Sequence, residues 1–443
     1  MRRLLFIFSF LSLLVVDGKA QEVETLTLED CLRIGIDNNL SLEGKRKEIQ
    51  KSKYGVSENR SKLLPQITVI AGYNNNFDPP VSVTDGSSYG VPYNITKTLQ
   101  HTANAGLEMQ MPLFNQTLYT SMSIAKVMEE ISRLSYGKAR EDIIMQISKM
   151  YYLGQVTAEQ IVLIKANITR LEELRDITQA FFDNGMSMEV DLKRVNINLE
   201  NLKVQYDNAQ AMMKQQLNML KYIMDYPAEK EFVLTPVNTD SITTVALTGL
   251  SENIYELQLS QSQVQLAEKQ KKIISNGYIP SLSLTGIWRY AAYTDKGYHW
   301  FHSGPSNHWF RSYGLGLTLR IPIFDGLDKT YKIKKAMIDI ENSKLAWENA
   351  RKSLQTQYLN AVNDLMNNQR NFKKQKDNYL LAEDVYAVTS DRYREGIASM
   401  TEVLQDEMQM SEAQNNYISA HYNYRVTNLM LLKLTGQIES LVK

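Results

Sequence analysis

The last third of the chain carries a hydrophobic pattern with the spacing of a coiled coil. Apolar and aromatic residues recur every seven positions from Leu365 to Tyr393, and a second set from Met410 to Tyr424 follows in steps of three and four. This spacing keeps one apolar stripe of a helix against a partner helix. Gly396 lies between the two sets. The pattern therefore predicts a long helix, a tight turn and a second helix that runs back.

The same arrangement occurs in the first half of the chain. Residues 115–226 contain no proline, and apolar residues from Leu192 to Met213 again alternate in steps of three and four. Asn184 and Gly185 mark the turn, since glycine readily adopts the left-handed conformation that follows a helix end. The helix before this turn would be a rod of roughly 100 Å. We therefore predict two helical hairpins, with tips near residues 184–187 and 395–398.

Four segments alternate between apolar and polar residues, which is the periodicity of β-strands. Each is about ten residues long, and a tilted strand needs about 9–11 residues to cross a bilayer. Trp288, Trp300 and Trp309 lie in or beside the second pair, as in the aromatic girdles of membrane barrels. The strands alone fit a water-soluble sheet with one buried face equally well. The predicted strands are residues 66–76, 102–111, 281–291 and 312–321.

Helices and strands recur in the same order, so the chain is predicted to be an internal duplication. Residues 253–288 align with residues 38–73 without a gap, which places Pro280 opposite Pro65. A polar loop is expected between the two strands of each pair. The predicted segments are a first repeat at 21–226, a linker at 227–250 and a second repeat at 251–443, with the loops at 77–100 and 294–311.

The first twenty residues have the features of a secretory signal peptide. Two arginines, an apolar run and a small-x-small ending at Ala20 predict that residues 1–20 are removed. No other stretch is apolar over the roughly 18 residues that a transmembrane helix requires. The single cysteine, Cys31, lies among apolar residues, and we expect it to be a small buried residue without a disulfide partner.

Composition and motifs argue against several classes of protein. The 49 basic and 49 acidic residues give zero formal net charge, so the chain has no basic surface for nucleic acid. Motifs of nucleotide-binding proteins, zinc proteases and serine hydrolases do not occur in the sequence. His299, His302 and His308 lie close together in a loop, where a solvent-facing or interfacial role is favoured over metal binding. We therefore expect no catalysis and no cofactor.

The four strands cannot close a barrel by themselves. An open sheet edge in lipid would leave backbone groups without hydrogen-bond partners. Three copies of the chain supply twelve strands, which is within the range of known barrels. The polar strand faces, including Glu108, Arg289 and Arg320, would then line a wet lumen. The predicted fold is mixed and mainly α, with long helical hairpins forming an α-barrel beside a 12-stranded β-barrel in a trimer.

Taken together, the motifs resemble the TolC-like outer-membrane efflux and secretion channels, the outer membrane efflux protein family. The resemblance covers essentially the whole mature chain. It rests on the duplication, on Pro65 and Pro280 before strands, on the Pro-x-Phe motifs that begin at Pro112 and Pro322, and on the two glycine turns. It implies a homotrimeric channel in the outer membrane of a Gram-negative-type cell, with a helical tunnel in the periplasm. The implied partners are a periplasmic adaptor, an inner-membrane transporter, outer-membrane lipid, and exported small molecules or proteins.

The resemblance also assigns a latch that holds the tunnel mouth closed. Asp191, six residues after Gly185, matches an aspartate of this latch, and Tyr393 matches its tyrosine. The latch arginine falls on Ala398, so this chain departs from the arginine–aspartate part of the latch.

A ring of carboxylates at the mouth is the second implied feature. Glu402, six residues after Gly396, matches the first ring residue, whereas the second position is occupied by Gln405. Asp406 is four residues from Glu402 and would share its helix face. Near a threefold axis these carboxylates would favour cations and raise one another's pKa values. An ordinary solvated helix face is the alternative.

The hairpin turns are the implied docking sites for the adaptor. Met186 and Ile397, each one residue past a turn glycine, are candidate contacts, and a hydrophobic cap of their own hairpin is an equally good interpretation. A soluble periplasmic coiled-coil adaptor or structural protein is the alternative for the whole chain, although it leaves the apolar strand faces unexplained. The candidate turn residues are Asn184, Gly185, Met186, Glu395, Gly396 and Ile397.

Overall fold

The structure is a computed structural model that describes residues 24–97, 99–236, 248–294 and 309–442. The predicted signal peptide and the three loop histidines lie outside these residues. In chain order the elements are β1 (Glu24–Leu26), α1 (Leu28–Asn38), α2 (Leu40–Ser61), β2 (Gln66–Asn75), β3 (Val81–Asp85), β4 (Tyr93–Lys97), β5 (His101–Phe114), α3 (Gln116–Asp183), α4 (Glu189–Met224), β6 (Phe232–Leu234), α5 (Tyr255–Ser275), β7 (Ser281–Thr294), β8 (Trp309–Arg320), α6 (Asp328–Arg394) and α7 (Met400–Leu434).

The chain divides into two compact units. The sheet unit takes residues 41–140 and 250–358, and the hairpin unit takes residues 1–40, 141–249 and 359–443. The dividing points fall inside α3 and α6, so each long helix contributes to both units. Each unit combines segments from both halves of the chain. In the described residues no helix is long and apolar enough to cross a membrane.

The sheet unit contains a four-stranded antiparallel sheet in the order β2–β5–β7–β8. The β2–β5 hairpin and the β7–β8 hairpin are joined by pairing of β5 with β7, in which Leu107 lies opposite Trp288. This leaves β2 and β8 at the two edges of the sheet.

Side chains alternate between the two faces of this sheet, as strand geometry requires. The register places Glu108, Arg289 and Arg320 on one face together with serine, threonine, asparagine and glutamine side chains. The opposite face is apolar almost throughout. Its members include Ile67, Val69, Leu107, Met109, Leu284, Trp288, Leu315, Leu317 and Leu319.

Two connecting segments contain short strands that the sequence pattern does not predict. The predicted polar loop at 77–100 contains a hairpin, in which Val83 of β3 lies opposite Ile95 of β4. Prolines and glycines around these five-residue strands obscured their alternation. The predicted linker at 227–250 contains β6, which pairs in parallel with β1 and buries Phe232 and Leu234. A three-residue strand is too short to give a periodic signal.

The hairpin unit has two main clusters of buried apolar residues. One cluster packs α1, β1 and β6 against α3, α4 and α7 and includes Cys31, Ile147 and Met224. Thr27 and Asp30 form a capping box at the start of α1, and Asn39 separates α1 from α2. The second cluster joins the four long helices near their turns and includes Leu174, Leu199 and Val403.

Candidate functional site: the helical hairpin turns

The two hairpin turns share one backbone geometry. Gly185 and Gly396 have φ angles of 75° and 74°. Past each glycine the next amide donates to the carbonyl five residues earlier, from Met186 to Phe181 and from Ile397 to Arg392, both at 2.8 Å. This is the Schellman arrangement that closes a helix C-terminus. The turn residues predicted from the sequence therefore lie where a sharp reversal needs them.

The helices that leave these turns begin differently. Ser399 precedes α7 and forms a capping box, in which its hydroxyl accepts from the Glu402 amide and the Glu402 carboxylate accepts from the Ser399 amide at 2.9 Å. Met188 holds the same position before α4 and provides no side-chain cap. The candidate ring carboxylate Glu402 thus also stabilises the start of its own helix.

The side chains around the two turns also differ. Met186 and Ile397 are both exposed, as docking residues would be. In the first turn Met188 is exposed as well, whereas Ala398 and Met400 of the second turn are buried. Each turn therefore exposes one apolar residue after its glycine, but the second turn buries its other apolar residues whereas the first exposes Met188 as well.

The candidate latch residue Tyr393 is buried inside the hairpin unit. Its hydroxyl donates to Thr178 Oγ1 at 3.2 Å, and its ring packs against Phe181 at 5.7 Å between centroids. In the single chain, Tyr393 therefore joins α6 to α3.

Asp191 pairs with an arginine that the sequence reasoning did not select. Arg194 Nη1 lies 3.2 Å from Asp191 Oδ1 and donates to Thr401 Oγ1 of α7 at 3.4 Å. Asp191 and Arg194 are three residues apart on α4, which was the available signal. Ala398, where the resemblance places an arginine, is a small buried residue. Arg194 of α4 therefore places a positive charge beside the first turn of α7.

The candidate ring residues follow one another on the first turns of α7. Glu402 and Gln405 are exposed and Asp406 is half-buried. Their side chains are four residues apart or less, so the arrangement places carboxylates along one helix edge.

A buried polar stripe on α7 was missed by sequence reasoning. Glu407, Gln414 and His421 recur every seven residues and are all buried among apolar neighbours. Burial raises the pKa of Glu407, which the Arg170 guanidinium opposes. The regular spacing of the three residues was the signal that could have revealed the stripe.

Metal binding finds no support in the described part of the chain. No group of three or more histidine, cysteine or acidic side chains is close enough there to hold an ion. Cys31 is fully buried, and burial raises the pKa of its thiol to about 12, so it remains a protonated core residue.

A sheet with one apolar face and two long helical hairpins with glycine turns are the features expected of an outer-membrane channel protein. The sequence profile of the outer membrane efflux protein family matches residues 34–224 and 238–437. The chain belongs to this family. Its members are passive outer-membrane channels and not enzymes, and the chain is an outer-membrane efflux channel of the TolC type.

Individual relatives are similar over most of their length. The outer membrane protein TolC of Vibrio cholerae is 21% identical over 396 residues, covering 86% of this chain and 84% of that protein. The antibiotic efflux pump outer membrane protein ArpC of Pseudomonas putida is 23% identical over 382 residues, covering 81% and 75%. Among solved structures, CusC superposes with a TM-score of 0.77 at 16% identity and covers 96% of this chain and 95% of its own. These likenesses agree with the fold described above.

Proposed function

We propose that three copies of this chain form the outer-membrane exit duct of a tripartite efflux pump or type I secretion system. The duct is passive, and a periplasmic adaptor and an inner-membrane transporter open it at the hairpin turns. The observation that carries this proposal is the four-stranded sheet, which has an apolar face and two edge strands. Membership of an outer-membrane channel family excludes the alternative of a soluble periplasmic adaptor.

Closure of the sheet by further copies follows from the cost of an open edge. Backbone groups on β2 and β8 have no strand partner on their outer sides within the described chain. Inside a bilayer such groups have no water to bond with. Since β2 and β8 are the opposite edges of one sheet, β8 of one copy can meet β2 of the next. Three copies then supply a closed ring of twelve strands.

The internal duplication specifies the register of this contact. In the first hairpin Gln66, the residue after Pro65, lies opposite Gln110, two residues before Pro112. In the second hairpin Ser281, the residue after Pro280, lies opposite Arg320, two residues before Pro322. The two hairpins therefore have the same register when they are counted from their prolines.

The pairing of β5 with β7 supplies the template for β8 and the next copy's β2. Leu107, five residues before Pro112, lies opposite Trp288, eight residues after Pro280. The equivalent residues are Leu317, five before Pro322, and Tyr73, eight after Pro65. By the same rule, the pair of Met111 with Leu284 corresponds to Ile321 with Val69.

Exposure at the ends of the strands supports this template. Phe114 pairs with Leu282 inside the chain and is 42% exposed. Phe324, its equivalent after Pro322, is 81% exposed. The equivalent of Leu282 is Ile67, which is also exposed. Contact between Phe324 and Ile67 of a second copy would remove both apolar side chains from water.

Four cysteine positions test the register. The same four positions, combined in the other two possible pairs, supply the control. The variants Leu317→Cys/Tyr73→Cys and Ile321→Cys/Val69→Cys place cysteines directly opposite, within the roughly 4.4–6.8 Å Cα separation that a disulfide needs. We expect covalent dimers and trimers after oxidation of outer membranes, detected by non-reducing electrophoresis. The exchanged pairs, Leu317→Cys/Val69→Cys and Ile321→Cys/Tyr73→Cys, are four residues out of register, about 13 Å along a strand, and should remain monomeric.

Two further measurements separate the register from the assembly. The intrachain pair Leu107→Cys/Trp288→Cys should form a disulfide without any increase in mass. Light scattering of the detergent-solubilised protein should give three times the mass of one chain. A trimer in which only the exchanged pairs cross-link would overturn the register alone. A monomeric protein would overturn the proposed assembly.

At the mouth, we propose that Glu402 and Asp406 form a carboxylate ring, with Gln405 between them. The Glu402→Gln variant removes a charge and leaves an amide that can still accept from the Ser399 amide. We expect it to lower the preference for cations in planar-bilayer recordings. The Met408→Gln variant changes an exposed side chain without changing charge and serves as the control. Unaltered selectivity in Glu402→Gln would count against the ring.

We propose that a latch holds the mouth closed and that it consists of Tyr393, Asp191 and Arg194. Arg194 supplies the positive charge that the family's latch arginine would supply at the position of Ala398. Support comes from the bonds of these residues to Thr178 and Thr401, which join neighbouring helices.

The exposed Met186 and Ile397 are the proposed adaptor contacts. The names of two relatives mention antibiotic efflux and toluene efflux, and we propose small apolar molecules as the cargo. Increased sensitivity of a deletion strain to such compounds would test this.

A further inference from the structure

A cavity of about 370 Å³ lies in the sheet unit, where the strands meet the helices. Its polar strand residues belong to the polar face of the sheet, on which Gln66 lies opposite Gln110 and Ser283 lies opposite Thr318. Lys62, the residue after α2, also lines it. We call it the junction cavity. Its volume is within the range of sites that bind small molecules.

The charged side chains that line the junction cavity are both positive. They are Lys62 and Arg320, and among the described residues no aspartate or glutamate lines the cavity. Glu108 belongs to the same sheet face but lies outside the lining. The Arg320 side chain makes no hydrogen bond or ion pair within the described chain. Lys62 Nζ lies 3.4 Å from a carboxylate oxygen of Glu58, but 70% of the Glu58 side chain is exposed, so water weakens this pair.

Neutral groups of the junction cavity add to its preference for anions. Asn115 lines the cavity just before α3, and its Oδ1 accepts from the amides of Thr117 and Leu118 at 3.0 and 3.3 Å. The positive end of the α3 dipole therefore lies at the cavity wall. The side-chain amides of Gln66 and Gln110 supply N–H donors. Cations, neutral donors and a helix N-terminus together favour a negatively charged ligand.

Another part of the lining is apolar. Phe114, Leu118 and Leu282 line the junction cavity together. Phe114 lies opposite Leu282, just past an irregularity in the pairing of β5 with β7. An inorganic anion would leave these side chains in contact with water, whereas a ligand with a short hydrocarbon body would cover them. The cavity therefore fits an anionic group that is attached to an apolar body.

The duplication shows that the fold does not require the two cations. Counted from the prolines that precede the strands, Gly277 of the second repeat corresponds to Lys62. Counted from the prolines at the other ends of the hairpins, Gln110 of the first repeat corresponds to Arg320. The same backbone positions are thus occupied once by cations and once by uncharged residues. A structural requirement of the repeat does not explain the positive charges.

We propose that the junction cavity binds small organic anions. The carboxylate of such a ligand meets Arg320 and Lys62, and its apolar body meets the apolar lining. Arginine holds a carboxylate through two parallel N–H donors, which gives the contact its specificity. The polar sheet face lines the lumen of the proposed duct, so a role of the cavity in transport rests on the proposed function. Binding itself does not, because one chain supplies the whole lining.

Binding of hexanoate to the full-length protein tests the proposal. The protein is placed in nanodiscs of zwitterionic lipid, and the affinity is measured by an NMR titration with empty nanodiscs as background. We expect Arg320→Gln and Lys62→Gln each to weaken binding roughly tenfold or more, since each removes a charge from the ligand's contacts. Glutamine already occupies the equivalent position 110, so Arg320→Gln should fold. Gln110→Glu keeps both cations, adds a carboxylate to the cavity and should weaken binding as well.

Arg311→Gln is the matched control. Arg311 lies nine residues from Arg320 on β8 and belongs to the other sheet face. We expect its replacement to leave hexanoate binding unchanged. If neither Arg320→Gln nor Lys62→Gln weakens binding, or if Arg311→Gln weakens it equally, the junction cavity is not the site.

Three further ligands test the chemical class. Hexanamide and hexylammonium have the same apolar body without the negative charge, and inorganic phosphate has the charge without the body. We expect all three to bind more weakly than hexanoate. Phosphate that binds as tightly as hexanoate, or hexylammonium that does so, would overturn the proposed class of ligand. A protein that forms channels without binding hexanoate would overturn this inference alone, whereas a protein that binds hexanoate without forming channels would overturn only the proposed function.

Discussion

The two helical hairpins have the same turn and different surroundings. Gly185 and Gly396 adopt the same left-handed conformation, and the connections that contain them are equally long. The first turn is uncapped and exposes methionines, whereas the second is capped by Ser399 and buries Met400. The two repeats thus share the backbone conformation of the turn, whereas their side chains differ and give each helical hairpin its own stability. The second hairpin combines a packed turn with the buried polar stripe of α7, which consists of Glu407, Gln414 and His421.

The largest difference between the turns should appear when apolar side chains are removed. Met400 is 3% exposed and Met188 is 67% exposed. We expect Met400→Ala to destabilise the hairpin unit by about 2–5 kcal/mol and Met188→Ala to change stability by less than about 0.5 kcal/mol. Thermal unfolding in detergent measures both variants. Equal effects would show that the turns do not differ in packing.

The pH dependence of stability should belong mainly to buried carboxyls of the hairpin unit. Burial raises the pKa of Glu407, so the folded state holds this proton more tightly than the unfolded state does. Stability from this group is complete below the ordinary glutamate pKa and is lost as the pH rises through the raised value. Glu407→Gln should therefore stabilise the protein by about 1–3 kcal/mol at pH 8 and have little effect near pH 4.

Denaturant unfolding at these two pH values measures the effect. Burial also raises the pKa of Glu141, to about 7, so part of the pH dependence should persist in the Glu407→Gln variant. Asn196 of α4 is exposed and lies eleven residues after Gly185, as Glu407 lies eleven residues after Gly396. Asn196→Asp therefore places a carboxyl at the corresponding exposed position and is the matched control. A loss of stability with pH that is the same in wild type and Glu407→Gln would contradict the assignment.

The difference in helix capping predicts smaller changes in stability, which have opposite signs in α7 and α4. Ser399→Ala removes the N-cap of α7 and should cost about 1 kcal/mol. Met188→Ser introduces a cap before α4, with Asp191 three residues later in the position of a capping box, and should stabilise α4 by a similar amount. Hydrogen exchange in the first turn of each helix separates the two changes. A stabilising Ser399→Ala would show that the cap is not formed.

The smallest expected effect on stability comes from Arg194. The side chain of Arg194 is 49% exposed and that of its partner Asp191 is 15% exposed, and an ion pair that water still reaches contributes about 0–1 kcal/mol. We expect Arg194→Met to leave thermal unfolding nearly unchanged and to increase the channel conductance if the residue holds the mouth closed. Lys203→Met removes a cation of the same helix whose side chain is 41% exposed, and it should not alter conductance.

Much of the fold could be predicted because prolines and glycines punctuate a repeated pattern. Pro65 and Pro280 directly precede β2 and β7, Pro322 follows β8, and the turn glycines mark the tips. The predicted end of the second strand at residue 111 is wrong, because β5 continues through Pro112 to Phe114 by pairing with β7. The hairpin of β3 and β4 was missed because each strand has only five residues. Short strands leave too few positions for a period to emerge.

The polar stripe of α7 was missed for a different reason. Polar residues in a long helix are ordinarily assigned to its solvated face, and Glu407, Gln414 and His421 violate that rule. Their burial depends on α6 of the same hairpin and on α3, which lies far away in the sequence. The capping role of Glu402 could have been seen from its position three residues after Ser399. Contacts between distant helices are what a single sequence does not specify.

The central claim is that copies of this chain close an open sheet into a water-filled duct. Planar-bilayer recording of the purified protein tests it most directly. We predict discrete, cation-preferring conductance steps of uniform size, because a closed barrel has one fixed cross-section. Protein that inserts without any discrete steps, or gives steps of continuously varying size, would contradict the account.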